Sequence, residues 1–163
     1  MNTWAFNIQR GSSVFTQDYL MRMFLMLAGA IRESLQRANG NDDPKAAAEL
    51  LDNSLEDATE MDGSLLLRMT PESMAAMLQL SQPDPALMGY ISRSLLLSST
   101  YYKEAGDESA AQLRRAQAYA VSDAFNLGLS DECIQPKQLS SFFARNGVEE
   151  GFLPVEGEQA ARD

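Results

Sequence analysis

Apolar residues recur along this chain at intervals of three and four, the spacing that puts them on one face of an α-helix. Thr16, followed by Asp18 in the first turn, predicts a helix start, and the chain then runs to Ala38 with no proline and one internal glycine, Gly29. Asn39 and Gly40 offer a left-handed stop. The stretch from Tyr19 to Ile31 is apolar nearly all round, broken only by Arg22 and Gly29, so it is expected to be enclosed by other helices or by a second subunit. Asp43 and Pro44 form a cap and first turn for a second helix, on which Leu51, Leu55 and Ala58 recur until about Met61.

Two short helices are predicted next, one over Ser64 to Met69 and one opening at Thr70-Pro71-Glu72, with Met74, Met77 and Leu78 on one side. The prolines at 83 and 85 break the chain, and Asp84-Pro85 starts a long helix carrying Leu87, Ile91, Ser94, Leu95, Ser98 and Tyr102 on one face. It stops at Gly106. Asp107 caps the sixth helix, which ends at Gly128. A short amphipathic helix fits around Leu139, Phe142 and Phe143, and Val148 to Asp163 reads as a frayed acidic end. Valine occurs at only four positions and no segment alternates like a strand. The expected fold is therefore all-α with about six helices, divided into an arm over 1–15, a helical domain over 16–130 and an acidic tail over 131–163.

Composition narrows the chemistry. The 163 residues carry a formal charge of -10, which disfavours nucleic acid and anionic membrane surfaces as partners and favours a basic one. There is no histidine, so the commonest general base and nitrogen metal ligand is missing. Cys133 is the sole cysteine and has no histidine to activate it. The start lacks a secretory layout and no stretch has the apolar length of a membrane span, so the expectation is a soluble, cytoplasmic chain without cofactor or resident metal.

The stretch Tyr101-Tyr102-Lys103-Glu104-Ala105-Gly106-Asp107-Glu108-Ser109-Ala110-Ala111 resembles the turn of a tetratricopeptide repeat, with Ser99 and Ala118 at the sites where small residues let two antiparallel helices approach. Arg115 departs from that pattern, standing where the repeat prefers a large aromatic. The resemblance implies three stacked hairpins, the middle one shortened. Asp18-Tyr19-Leu20-Met21-Arg22-Met23, followed by an apolar helix and an acidic one, is similar to the opening of an uncharacterised bacterial family of small helical proteins. That likeness covers about Phe15 to Glu132 and implies a fold and a bacterial cytoplasmic origin, not an activity.

Several groups of residues are candidates for function. Glu49, Asp52, Asn53, Glu56, Asp57 and Glu60 share one helical stripe, and residues 42–62 hold eight acids against Lys45 alone. The stripe reads as a solvated face, a docking face for a basic segment or a carboxylate site for a divalent cation. Asp18 and Arg22 stand one turn apart beside Tyr19, suited to a structural ion pair or, through Arg22, a ligand or interface contact. Trp4, Phe6 and Ile8 alternate in an arm with no helix of its own, a layout for lying in a groove. The nine methionines suit core packing or an adaptable surface.

Serine-nucleophile and phosphate-loop motifs are missing. The reading that follows is a non-enzymatic adaptor or scaffold of tetratricopeptide-like type, binding another protein through a basic or amphipathic segment. Two alternatives stand beside it: a small-molecule binder or enzyme with an interhelical pocket near Arg22, Tyr19, Tyr101 and Tyr102, and a structural homodimer formed through helix 16–38.

Overall fold

A computed structural model describes the backbone of residues 3–59 and 63–148, and the side chains of 17–59 and 65–148. Among the described residues there are seven α-helices and no strand, so the chain is all-α. They are α1 (Thr3–Leu35), α2 (Pro44–Thr59), α3 (Gly63–Arg68), α4 (Pro71–Leu80), α5 (Pro85–Glu104), α6 (Glu108–Phe125) and α7 (Pro136–Arg145). A π-turn, Gln36–Gly40, follows α1, and a 3-10 turn, Asp131–Ile134, precedes α7.

The helix starts follow their capping chemistry. Asp43 accepts from the Ala46 amide at 3.1 Å, Thr70 from Ser73 at 3.2 Å, Asp84 from Ala86 at 2.8 Å and Asp107 from Ala110 at 3.1 Å. Each satisfies an amide that a helix end would otherwise leave unpaired. Three of these starts also place proline, with its helical φ, just after the cap. Gly106 adopts φ 89°, the conformation that lets the chain reverse between α5 and α6.

α5 is the central element, buried at every position from Leu87 to Ser99. α1 lies beside it, with Phe24 at Tyr90 and Ser34 at Tyr101, so the two run parallel. α2 and α6 pack on other sides of α5. Small residues set the close approaches: Ala47, Ala48 and Ala118 are fully buried, and the Ser99 hydroxyl donates to the Ala111 carbonyl at 2.7 Å across the α5–α6 hairpin.

Several sequence expectations are corrected. Residues 3–15 are not an arm without a helix. α1 begins at Thr3 because the segment holds no proline, Gly11 alone does not break it, and each added residue costs little once α1 is nucleated. The side chains of Trp4 and Phe6 lie outside the described residues. α1 does not end on a left-handed glycine either. The Asn41 amide donates to the Gln36 carbonyl at 3.1 Å, and the left-handed residue is Asp42, at φ 52°.

The middle pair forms no hairpin of the expected kind. α3 packs against α2 and α4 against α6, because six- and ten-residue helices are too short to cover each other's apolar sides. Nor does the helical domain end at 130. α7 buries Leu139, Phe142 and Phe143, and Val148 beyond it is buried too. Residues 149–163 lie outside the described residues.

The α7 contact centres on Tyr90, whose ring stacks on Phe24 at 5.0 Å, meets Phe142 edge-on at 4.6 Å and lies parallel to Phe143 at 5.8 Å. The Tyr90 hydroxyl is buried and has no hydrogen-bond partner among the described residues. Desolvation of that group costs stability that no bond returns. Tyr90→Phe is therefore expected to raise stability by about 1 kcal/mol, seen as a melting temperature higher by roughly 3 °C. An unchanged or lower melting point would mean that the hydroxyl finds a partner.

Candidate functional site

Among the described members of the acidic stripe, Asp52 alone turns inward, and Glu60 lies outside the described residues. Glu49, Asn53 and Asp57 are exposed and Glu56 is half-buried, whereas Asp52 is 8% exposed. Its Oδ1 accepts from the Ser98 hydroxyl at 3.0 Å and from Arg114 Nε at 3.1 Å. Its Oδ2 accepts from Arg114 Nη2 at 3.1 Å and from the Tyr102 hydroxyl at 2.6 Å. Arg114 Nη1 continues to the Leu67 carbonyl at 2.9 Å and to Gln117 Oε1 at 3.1 Å. Gln117 Nε2 donates to the carbonyls of Leu67 and Met69, each at 2.9 Å. One carboxylate thus fastens α2, α5 and α6 together and holds the end of α3 through backbone oxygens.

Four donors on two oxygens leave Asp52 little room to bind a further ligand. Burial, then the hydrogen bond to Asp52, pushes the Tyr102 phenol well above its ordinary pKa, keeping it a donor. A shallow cavity of about 230 Å³, lined by Glu49, Asn53, Glu56 and Arg68, lies over this network. Among the described residues no three potential metal-ligating side chains come together.

The rest of the sequence-predicted set is dispersed. Asp18 and Arg22 are both exposed and no ion pair joins them, because the helix carrying them reaches water at that point. Tyr19 is 40% exposed nearby. Tyr101 is buried and shares a hydrogen bond of 3.2 Å with Ser34. Arg22 lies twelve positions before Ser34 on the same helix, about 18 Å along its axis, so the structure does not gather Arg22, Tyr101 and Tyr102 into one pocket. Met74 and Met88 are core residues; Met77 is on the surface.

An apolar groove lies elsewhere. A groove of about 430 Å³ runs between the end of α2 (Ala58, Thr59), α4 (Met77, Leu78, Leu80) and the start of α5 (Leu87, Met88, Ile91). Leu80 is 81% exposed and Met77 39% exposed at its edge. α4 also packs against α6, where the Gln79 amide donates to the Ala124 carbonyl at 3.3 Å. The charged residues adjoining its walls in sequence, Asp57 and Asp84, are acidic. This groove escapes sequence reading because its walls come from three helices. Leu80, on the last turn of a short helix before a proline-rich break, was its one visible signal. Arg114 was missed as well, since beside Arg115 it reads as a surface basic pair.

No described helix is long and apolar enough to cross a membrane. No family model, curated protein or solved structure matches this chain.

Proposed function

We propose that this chain is a non-enzymatic interaction module whose groove between α2, α4 and α5 receives an amphipathic segment of another protein. The observation that carries the reading is an apolar groove with exposed leucine and methionine at its rim. Protruding apolar side chains are costly to leave in water and gain when a partner covers them. Methionine and leucine walls adapt to a helical face, and acidic neighbours within a chain of charge -10 favour a partner with lysine or arginine beside its apolar residues. Opposite charge raises the encounter rate and apolar contact holds the complex. The buried carboxylate supports the reading from the other side, since Asp52 is saturated by four structural donors.

The test uses a fluorescent amphipathic helical peptide of leucine and lysine, followed by anisotropy. Leu80→Asp places a charge on the rim at a position that does not hold the fold, and is expected to weaken binding at least about tenfold, the effect of losing a central apolar contact. Equal binding by the variant, or no binding by the wild type, would refute the assignment of the groove.

A further inference from the structure

α1 turns Phe24, Leu27, Ala28, Ile31 and Leu35 into the core. Its opposite side carries Asp18, Arg22, Met26, Gly29 and Glu33, and the π-turn that follows adds Arg37, all exposed or partly so. Arg37 and Glu33 share this surface, joined at 2.9 Å. Along the helix the order is acid, base, methionine, glycine, acid, base. Read backwards against itself, the order is complementary: Asp18 meets Arg37, Arg22 meets Glu33 and Met26 meets Gly29, each pair of numbers adding to 55. A parallel pairing would instead set Arg22 on Arg22 and Glu33 on Glu33.

Gly29 is a second, independent sign. A glycine inside a helix weakens it, and here the described fold does not require one, since among the described residues a Cβ at this position would meet nothing within 4 Å. A partner helix approaching closely at this position would require it.

We infer that a second copy of this chain docks antiparallel on the outer face of α1, about a two-fold axis at the level midway between Met26 and Gly29. Each Met26 side chain then lies over the partner's bare Gly29 backbone, and each charge contact occurs twice, as a self-complementary interface demands. The contact runs from Asp18 to Arg37, about 28 Å of helix, so dimerisation is reversible and depends on concentration. This face is separate from the α2–α4–α5 groove, and the inference stands whether or not that groove binds a peptide.

Sedimentation of the full chain at low salt over micromolar concentrations tests it. The wild type is expected to pass from monomer to dimer. Arg22→Glu and Glu33→Arg, each at an exposed site, are each expected to weaken self-association at least about tenfold by setting like charges together. Mixed in equal amounts, the two variants recover wild-type association, because each chain then offers the charge the other lacks. Gly29→Gln, in open space on the monomer, also weakens the dimer while leaving the helical dichroism intact. A wild type that stays monomeric, single reversals that associate as before, or a mixture that fails to recover would each overturn the inference.

Discussion

Asp52→Ala is expected to destabilise the protein by about 4 kcal/mol, the usual consequence of leaving one partner of a buried ion pair uncompensated, and to lower the melting temperature by roughly 10 °C. The carboxylate accepts four hydrogen bonds, and without it Arg114, a residue 9% exposed, is left with no counter-charge among α2, α5 and α6. Removing both charges costs less than the sum of the two single losses, because most of each single loss is the stranded partner. Denaturant unfolding of Asp52→Ala, Arg114→Met and the double variant measures this. A single loss below about 1 kcal/mol, or additive losses, would show that the network is a surface pairing of the ordinary kind.

Phe142→Ala is the second large effect, about 3–4 kcal/mol, with the change confined to the α7 side of the molecule. The ring fills the space beside Tyr90 and lies under the Arg93 guanidinium, whose carbon is 3.7 Å from its centre. Arg93 is 8% exposed and its Nη1 donates to the Gly89 carbonyl at 3.1 Å. Truncation leaves a cavity and takes away the surface over which this cation rests. Hydrogen exchange should show amide protection falling across 136–148 while the α5–α6 hairpin keeps its own. A companion change reads the same contact from the other helix. A Cβ at Gly89 would stand 2.8 Å from Phe142 Cζ, so Gly89→Ala pushes the ring outward, and Phe142→Leu in that background costs less than it does alone. Uniform loss of protection, or additivity of the two changes, would contradict this picture.

Local chemistry made the helices legible in the sequence. Asp43, Thr70, Asp84 and Asp107 each act within three residues of their own position, so capping can be seen in a one-dimensional string. The start of α1 was not legible, since the sequence contains a plausible cap at Thr16 and the helix passes through it, favoured by propagation. The α7 docking depends on Tyr90 meeting residues some fifty positions later, a pairing no periodicity reveals. Asp52 shows how a correct pattern can mislead. Helical spacing puts Asp52 in line with Glu49 and Glu56, but a stripe of acids does not say which member turns inward, and here that is set by Arg114 on a helix 62 positions away. Apart from Leu80, the groove leaves no mark in the sequence for the same reason, with the end of α2, α4 and the start of α5 brought together only by the fold.

The claim that the α2–α4–α5 groove is the binding surface is tested most directly by NMR titration of the isotope-labelled protein with the leucine–lysine peptide. Resonances of Met77, Leu80, Leu87, Met88 and Ile91 should shift together and saturate at one stoichiometry. Shifts gathered instead around Glu49, Glu56 and Arg68, or spread evenly over the acidic surface, would contradict it.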